Sequence, residues 1–443
     1  MIKNHFPPGP NAEKWRGNYK EFRRDPLGFM MRVAREHGDV VGIRYYRYKV
    51  FIFNHPDDIE AVLVTHNKNF IKGRALRANK RLFGEGLLTS EGEAWLRQRR
   101  LAQPAFHRAR IASYADTMVR FTEQMVRGWR HGETRNVHEE MMRLTLAIVA
   151  KTLFNADVTG EAREIGEALE VVMQVNTDPR RLLFVPAWLP TPANLAMRRA
   201  VRRLDRVIYR IISERRANGH EARDLLSLLL HARDEDGSGM SDRQLRDEAV
   251  TLFLAGHETT AITLSWTWWL LAQHPKIEAR LHAELAGVLG GREATVEDLP
   301  RLRYLEMVLS ESLRLYPPAW SMVRLAIQHS EIGGYLVPAG CGVAMSQYVV
   351  HRDPRFFDAP EEFRPERWEN DFAKRLPKFA YFPFGGGPRI CIGNSFALME
   401  ASLALATIAQ KFRLTLVPGE PVEPLPSITL RPKNGIPVIL HQR

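Results

Sequence analysis

The stretch FPFGGGPRICIG, residues 382–393, contains Cys391, one of only two cysteines among the 443 residues of the chain. Three consecutive glycines let the backbone approach another group closely, and Pro388 stiffens the turn that follows them. Arg389 places a cation two residues before the thiol, and a helix is predicted to begin at about Asn394. A cysteine just before a helix N-terminus, near an arginine and free backbone amides, is favoured as the thiolate, the form that ligates metals.

The pattern around Cys391 excludes several familiar kinds of site. The glycine run lacks the following Lys and Ser/Thr of a Walker phosphate loop, and it does not match the dinucleotide-binding fingerprint. A structural zinc site or an iron–sulfur cluster needs about four ligands, and no neighbouring ligand set accompanies this thiol. A single thiolate instead suits the fifth ligand of a haem.

The longest predicted helix would cross a whole domain. It begins after a Ser241 cap, with Asp242 beside it, and ends at His274, because the proline that follows cannot continue a helix. At 1.5 Å per residue this helix would be roughly 50 Å long. We therefore expect a long central helix.

The middle of this helix reads AGHETT, residues 255–260, where a glycine and two threonines replace the expected leucines. Glycine costs about 1 kcal/mol relative to alanine in a helix interior, and Thr259 is expected to bond back to the carbonyl of Ala255. One interpretation is a helix-packing glycine with threonines that satisfy backbone carbonyls; the other is an acid and a hydroxyl placed beside a reactive centre. The zinc-peptidase pattern HExxH is excluded, because Ala261 occupies its closing position.

The composition is that of an ordinary globular protein. Apolar residues make up 45% of the chain and charged residues 26%, which excludes a disordered or fibrous chain. Two cysteines cannot form a disulfide framework and fit a reducing compartment, so we expect a cytoplasmic protein. The N-terminal MIKNHFPPGPNAEKW has no signal-peptide-like apolar core, and no stretch is long enough to span a bilayer, so no membrane anchor is expected.

Basic residues exceed acidic ones by 63 to 51, which gives a net charge of +12 and indicates an acidic partner. No zinc-finger spacing or RNP-like aromatic pattern accompanies this charge, so we expect no nucleic acid to bind. An acidic protein is the interpretation that remains.

Hydrophobic periodicity predicts a mainly α-helical chain with small β-sheets. Val40–Tyr46 and Lys49–Phe53 predict a hairpin, and further short strands are predicted at Gly333–Val337, at Gly342–Ser346 and after Phe412. Apolar spacing of three and four predicts helices at about 93–130, 137–155, 160–175, 195–217, 241–273, 277–289, 302–316 and 394–412.

No internal repeat, low-complexity block or Gly/Ser-rich linker marks a domain boundary. We therefore expect residues 1–443 to form a single domain. Its β-rich parts are expected at about 38–56, 318–346 and 412–443, and its helical core at about 93–316 and 394–412.

The residues of the opening stretch carry a family resemblance. Phe384, Gly387, Arg389, Cys391 and Gly393 match, at every position, the F-x-x-G-x-R-x-C-x-G signature of the cytochrome P-450 superfamily of haem-thiolate monooxygenases. The chain resembles a soluble bacterial-type member over almost its whole length. The resemblance implies the cytochrome P-450 fold, with a long central I helix and a Cys-ligand loop. It also implies haem b, with Cys391 as the axial thiolate ligand of its iron.

Glu311 and Arg314 in ESLRLYPP resemble the E-x-x-R pair on the K helix of this family. A spacing of three places both side chains on one helical face, where a guanidinium can hold a carboxylate. The pattern alone is weak, because it also begins at Glu13, Glu21, Glu140 and Glu361. The following LYPP and the later RPERW strengthen it. By resemblance, Arg367 completes a structural network that holds the thiolate loop.

The resemblance also implies the residues that surround the haem. Trp95 and Arg99 in WLRQRR match the W-x-x-x-R motif of the family's C helix. In the family, the tryptophan and the arginine of this motif hold a haem propionate. Arg324, on the strand after the K helix, and Arg389 resemble further propionate partners. Ala255 on the long helix is expected to contact the haem.

Glu258 and Thr259 resemble the acid–alcohol pair that carries protons to iron-bound dioxygen in the family. Members that use peroxide, and electron-independent isomerases and dehydratases, often depart from this pair, whereas this chain keeps it. The resemblance therefore implies insertion of one oxygen atom of O2 into an organic substrate, with electrons from NAD(P)H. The alternatives are a haem-thiolate peroxygenase or isomerase, and a non-enzymatic haem-binding sensor.

Electrons are expected from a separate redox partner, because the sequence contains no flavin or ferredoxin domain. Arg97, Arg100, Lys378 and Arg389 are expected near the thiolate, where they would attract an acidic ferredoxin or flavodoxin. The alternative is that these are solvated surface charges. The protein is expected to be a monomer.

By resemblance, a set of mostly apolar residues lines the substrate pocket, together with Ala255 and Thr259. A hydrophobic substrate such as a fatty acid, terpenoid, steroid or aromatic compound would gain about 25 cal/mol per Å² on burial there. The stretch GEGLLTSEGEAWLRQRR resembles the fatty-acid-hydroxylating branch of the family. The expected lining residues are Leu82, Phe83, Leu87, Leu88, Ala319, Trp320 and Val323.

Overall fold

The computed structural model describes residue 3 and residues 5–156, 162–175, 185–186, 188–217, 224–233 and 237–443. The chain forms two compact units, and each combines two separate stretches of sequence. The first, which we call the β-rich unit, consists of Met1–Arg74 and Ser310–Cys391. The second, the helical unit, consists of Ala75–Leu309 and Ile392–Arg443. A single domain over residues 1–443 stays a prediction.

The strands of the described residues are short. In chain order they are β1 Val40–Tyr45, β2 Tyr48–Phe53, β3 Phe70–Lys72, β4 Thr134–Asn136, β5 Met322–Ala326, β6 Ser330–Ile332, β7 Tyr335–Val337, β8 Gly342–Met345, β9 Phe412–Leu416, β10 Pro424–Pro426, β11 Leu430–Pro432 and β12 Pro437–Gln442.

Five strands of the β-rich unit form one sheet in the order β1-β2-β8-β5-β3. The predicted hairpin is confirmed: β1 and β2 run antiparallel and pair Val40 with Phe53. β-Branched and aromatic side chains favour these strands because they pack on the buried face of the sheet. Phe51, Val337 and Val343 are buried together in the core of this unit.

The α-helices of the described residues span Tyr19–Arg24, Pro26–His37, Pro56–Glu60, Arg74–Ala78, Lys80–Phe83, Gly92–Ala102, Arg108–Ala112, Ala115–Arg127, Val137–Phe154, Ala162–Val175, Pro192–Ala217, Leu225–His231, Asp242–Gln273, Pro275–Leu289, Arg303–Leu315, Gln347–Val350, Phe372–Arg375 and Asn394–Lys411. A π-helical turn spans Ala61–Thr65, and 3-10 turns span Asn67–Asn69, Gln103–Phe106, Val296–Arg301, Pro365–Trp368 and Gly387–Arg389.

The long helix, Asp242–Gln273, confirms the prediction at both ends. Ser241 caps it by accepting a hydrogen bond from the backbone N–H of Gln244, whose side chain bonds back to the cap. Its 32 residues are mostly buried, and they span about 48 Å at 1.5 Å per residue. A Cβ atom added to Gly256 would lie 3.1 Å from a methyl carbon of Val149, so glycine allows the close approach of the helix Val137–Phe154.

Two small sheets complete the helical unit. One has the order β4-β12-β9, and the other is the pair β10-β11. The indole N–H of Trp266 on the long helix donates to the carbonyl of Leu430 at 2.8 Å. This contact attaches β11 to the long helix, next to the AGHETT segment.

The predicted helix over 93–130 is wrong as a single element. The structure has three helices there, Gly92–Ala102, Arg108–Ala112 and Ala115–Arg127. Pro104 lies in a 3-10 turn between the first two, and proline lacks the N–H that a continuous helix requires. Residues 160 and 161 of another predicted helix lie outside the described residues. Among the described helices, none combines the length and the apolar character needed to cross a membrane.

Candidate functional site

Cys391 lies at the end of a closed backbone loop, residues 382–391, in the β-rich unit. The side chain of Cys391 is exposed, and its backbone N–H donates to the carbonyl of Phe384 at 3.0 Å. The N–H of Ile390 donates to the carbonyl of Gly387 at 3.1 Å. The helix Asn394–Lys411 begins three residues after the cysteine, as predicted. Backbone hydrogen bonds therefore fix the position of the sulfur.

Two of the loop glycines are required by close approach of other protein atoms. Gly387 has φ +66°, and a Cβ atom there would lie 2.0 Å from the carbonyl oxygen of Leu63. A Cβ atom at Gly386 would lie 2.2 Å from the ring of Phe379. Gly393 differs, because a Cβ atom there would make only an ordinary 3.7 Å contact with Phe106. Close packing of protein atoms therefore explains why residues 386 and 387 are glycines, but it does not explain why residue 393 is a glycine.

The other cysteine, Cys341, has a different environment. It is 8% exposed and packs in the apolar core of the β-rich unit. Burial raises the pKa of its thiol, so the neutral form is favoured there. Of the two cysteines, Cys391 is the exposed one.

Glu311, Arg314 and Arg367 come together in the β-rich unit. The guanidinium of Arg314 holds the carboxylate of Glu311 through two hydrogen bonds, of 2.9 and 2.8 Å, and Nε of Arg367 lies 3.2 Å from the same carboxylate. The first two side chains are fully buried, and Arg367 is 7% exposed. The indole N–H of Trp368 is a further donor to Glu311, at 2.9 Å. Several hydrogen-bond donors therefore surround the Glu311 carboxylate, and they compensate for the cost of burying these charges.

His351 connects this network to the Cys391 loop. Its Nδ1 lies 3.3 Å from the carbonyl of Arg314, and its Nε2 accepts a hydrogen bond from the N–H of Phe382 at 3.0 Å. This arrangement requires the neutral ring with its proton on Nδ1. Burial, and the nearby positive charge of Arg314, lower the pKa of His351 to about 3. The first residue of the loop is thus held by a neutral histidine.

We expect His351→Gln to make stability less sensitive to acid. In the unfolded chain the histidine has an ordinary pKa and gains a proton as the pH falls below about 6.5, whereas folded His351 does not. Its neutral burial therefore stabilises fully above that pH, and each unit of acidification towards pH 3 removes about 1.4 kcal/mol. Glutamine does not titrate, so the slope of unfolding free energy against pH should fall by that amount in denaturant titrations. His329→Gln is the matched control, because this histidine is exposed. An equal change of slope there would contradict the assignment to His351.

Glu258 and Thr259 follow one another on the long helix but have different partners. The carboxylate of Glu258 is 8% exposed and accepts a hydrogen bond from the hydroxyl of Thr429 at 2.7 Å. Burial raises the pKa of Glu258, and Thr429 and Arg431 partly oppose this effect. The half-buried Thr259 donates to the carbonyl of Ala255 at 2.8 Å, as predicted. The acid and the alcohol therefore have separate hydrogen-bond partners in this structure.

Both interpretations of the AGHETT segment find support in the geometry. Gly256 packs against Val149, and Thr260 donates to the carbonyl of Gly256 at 3.2 Å, as a structural role requires. Ala255, however, is exposed within an otherwise buried stretch of helix. The segment thus presents a small side chain and the Thr259 hydroxyl on an accessible face.

The four predicted propionate partners are divided between the two units. Trp95 and Arg99 lie four residues apart on the helix Gly92–Ala102 of the helical unit, and both are half-buried. Arg324 lies on β5 of the β-rich unit and is 9% exposed, and Arg389 is half-buried in the loop. Their contact with a haem stays a prediction.

The predicted pocket residues are likewise divided. In the helical unit, Leu82, Phe83 and Leu87 are buried and Leu88 is half-buried. In the β-rich unit, Trp320 is buried, Ala319 is half-buried and Val323 is exposed. Their role as lining residues of one pocket stays a prediction.

The predicted basic surface is also distributed over both units. Arg97 and Arg100 belong to the helix Gly92–Ala102, and Arg97 donates to the hydroxyl of Ser238 at 3.2 Å. Lys378, in the β-rich unit, is exposed and pairs with Glu60 at 2.7 Å. Part of this charge is thus already used in local contacts.

Sequence reasoning missed three contributors to the site region. Thr429 binds the candidate acid, and His351 holds the Cys391 loop; neither lies near its partner in sequence. The third is a run of charges at residues 246–248 on the long helix. Three consecutive charged residues in a buried helix are a visible signal, although the sequence does not show their partners.

Comparison with known proteins agrees with this geometry. The family model described as Cytochrome P450 matches residues 7–438. Cyclooctatin synthase of Streptomyces melanosporofaciens is 41% identical over 423 residues, which cover 94% of this chain and 91% of that protein. Cyclooctat-9-en-7-ol 5-monooxygenase of the same organism is 38% identical, and the match covers 93% of this chain and 90% of that protein. Pentalenene oxygenase of Streptomyces avermitilis is 36% identical, covering 95% and 94%.

A solved structure has the same fold. Retinoic acid-bound cyanobacterial CYP120A1 superimposes with a TM-score of 0.90 at 28% identity, and the match covers 99% of this chain and 100% of that one. The predicted mainly helical fold with small sheets is therefore confirmed. Haem with a cysteine thiolate ligand is the cofactor of this family. With a family match over nearly its whole length and oxygenases among its relatives, the chain belongs to the cytochrome P450 family and is a monooxygenase of that family.

Proposed function

We propose that this chain inserts one oxygen atom of O2 into a hydrophobic terpenoid. The second oxygen atom leaves as water, and NAD(P)H supplies the two electrons through a separate ferredoxin- or flavodoxin-type partner. The observation that carries the proposal is the exposed Cys391, whose backbone is held by a closed loop directly before a helix N-terminus. A sulfur in that position fits the axial ligand of a haem.

The donor set around the loop also fits this cofactor. Gly393, which protein packing does not require to be glycine, would let the haem approach, and Phe384 would pack beside the sulfur. The cations Arg324, Arg389 and Arg99, with the indole N–H of Trp95, suit two propionates, which must be paired when buried. The bound haem, with thiolate donation to its iron, supplies the cleavage of the O–O bond.

Glu258 and Thr259 would manage the protons of the reaction. Because burial raises the pKa of Glu258, its carboxyl can hold a proton in a site that excludes water. The Thr429 hydroxyl donates to Oε1 of Glu258 in this structure, so the proton would be carried by Oε2. The hydroxyl of Thr259, on the accessible face beside Ala255, would then orient the proton towards the reaction centre.

The names of the relatives guide the choice of substrate. Pentalenene is an unsaturated hydrocarbon by its name, and cyclooctat-9-en-7-ol is an unsaturated alcohol by its name. These relatives are 36–41% identical to this chain over nearly its whole length. Their names therefore favour a terpenoid over a fatty acid as the substrate of this chain. The predicted pocket residues, most of them apolar, suit such a substrate.

The proposal is tested by incubating the protein with NADPH, a surrogate ferredoxin and its reductase, and pentalenene or palmitic acid under oxygen-18 gas. We expect a pentalenene product that carries one labelled oxygen atom, formed only with the complete electron supply. Equal turnover with peroxide alone would support a peroxygenase instead. An iron with no exchangeable position would support a sensor.

We expect Thr259→Ala to keep the haem and its spectrum but to lose coupling. Without the hydroxyl, protons arrive in the wrong place and reduced oxygen escapes as hydrogen peroxide. Since a positioned proton-transfer group contributes about 10²-fold or more, product per NADPH should fall at least tenfold while NADPH consumption continues. The matched control is Thr267→Val, which removes an equivalent threonine-to-carbonyl bond two turns further along the helix. Tight coupling in Thr259→Ala would show that this residue does not handle the proton.

A further inference from the structure

Arg246, Asp247 and Glu248 are three consecutive charged residues in the buried part of the long helix. Their exposed fractions are 6%, 4% and 0%. Burying charged groups costs free energy unless each finds a partner, so a chain gains nothing from placing three of them here for helix stability alone. Their partners show what they do.

All three side chains bind the backbone of one short segment, residues 82–87. Arg246 donates to the carbonyl of Leu82 at 2.8 Å. Asp247 accepts from the N–H of Glu85 at 2.9 Å, and Glu248 accepts from the N–H of Leu87 at 3.0 Å. We call Arg246, Asp247 and Glu248 the clasp.

The segment is shaped to lie against the clasp. Gly84 has φ +54°, and a Cβ atom there would lie 2.0 Å from the carboxylate of Asp247. A Cβ atom at Gly86 would lie 2.2 Å from the hydroxyl of Thr251, on the same helix. Larger residues at these two positions would push the segment away from the helix. The glycines and the charges therefore serve one contact.

The charges within the clasp are balanced. Arg246 pairs with Asp247 at 2.9 Å and with Asp205, on the helix Pro192–Ala217, at 2.5 Å. Burial, together with the nearby Asp247, raises the pKa of Glu248 to about 8, although the Leu87 N–H opposes this. Burial thus favours the neutral form of Glu248, and its oxygen can accept from the Leu87 N–H in either form.

We infer that the clasp positions residues 82–88 and thereby sets which substrates this enzyme accepts. The inference rests on the proposed function, because Leu82, Phe83, Leu87 and Leu88 are proposed to line the substrate pocket. The three clasp residues are positioning residues. They hold the backbone of the segment, and the apolar side chains of the segment would then meet the substrate.

Hydrogen exchange in the substrate-free protein tests the positioning role without any turnover. In Glu248→Leu, which keeps the size but removes the acceptor, amides of residues 82–88 should exchange at least about tenfold faster, because their local opening becomes easier. Glu248→Gln should exchange like the wild type, since its amide oxygen still accepts from Leu87. Asp247 accepts from Glu85 with one carboxylate oxygen and from Arg246 with the other, and asparagine has only one acceptor oxygen. Asp247→Asn should therefore raise exchange at Glu85, and it decides the question if Glu248→Leu does not fold.

Thr122→Val is the matched control for loss of a buried hydrogen bond, because this threonine donates to the carbonyl of Met118 within the helix Ala115–Arg127, which does not carry the clasp. Its exchange at 82–88 should match the wild type. Unchanged exchange in Glu248→Leu and Asp247→Asn would overturn the positioning role. A uniform rise over the whole chain would also overturn it, since that result reflects general loss of stability.

Selectivity is tested with Asp247→Asn and the reconstituted electron supply. We expect the KM for pentalenene to rise several-fold and the ratio of oxidised products to change, while kcat falls less and the carbon monoxide spectrum stays the same. Altered exchange with unaltered KM and product ratio would overturn the selectivity role. A wild-type protein that oxidises neither probe would contradict the proposed function and the selectivity role together, while the exchange experiment would still decide the positioning role.

Discussion

Cys391→Ala is expected to abolish monooxygenase activity while leaving the fold intact. The side chain is exposed, and the loop is closed by the backbone N–H of residue 391, which alanine retains. Removing the sulfur therefore removes the proposed iron ligand without opening the loop. Reduced protein with carbon monoxide should show the long-wavelength Soret band of a thiolate-ligated haem in the wild type and lose it in the variant.

Cys341→Ala is the matched control for this experiment. It removes the second cysteine, which is buried in the core of the β-rich unit. Losing a small buried group there should cost about 1 kcal/mol of stability and leave both the band and the activity in place. A Cys391→Ala protein that keeps the long-wavelength band would show that another group ligates the iron.

The parts of the fold that the sequence predicts well are set by local signals. Both ends of the long helix follow from residues beside them: Ser241 caps the start, and Pro275 prevents continuation. The predicted single helix over 93–130 fails because Pro104 interrupts it, although apolar spacing continues past the break. Apolar periodicity reports a buried face, and that face can be shared by several helices.

The same distinction applies to the candidate site: contacts between residues close in sequence could be predicted, and contacts between distant residues could not. Glu311 and Arg314 are three residues apart on one helix, so their contact follows from helical geometry alone. Thr429 lies 171 residues from Glu258, and no spacing rule connects them. The clasp is intermediate: its charges in a buried helix are visible in the sequence, but the backbone groups of residues 82–87 that they bind are not.

Glu311→Gln is expected to produce the largest loss of stability among these variants. The carboxylate of Glu311 accepts from Arg314 through two bonds, from Nε of Arg367, from the backbone N–H of Arg364 and from the indole of Trp368. Glutamine offers one acceptor oxygen and places an amide N–H₂ against donors. It also removes the charge that compensates two buried arginines, and breaking a buried ion pair in this way costs about 3–5 kcal/mol.

Denaturant titration should measure this loss directly, and Glu36→Gln provides the control. Glu36 lies in the same unit, but its side chain is 50% exposed and that of its partner Arg32 is 39% exposed. An exposed pair contributes about 0–1 kcal/mol, so the same chemical change should have little effect there. His351 contacts the carbonyl of Arg314 and binds the N–H of Phe382, so a displaced Arg314 would also disturb the Cys391 loop. Haem retention should therefore weaken in Glu311→Gln alone. Equal losses in the two variants would mean that burial of the network does not determine its contribution.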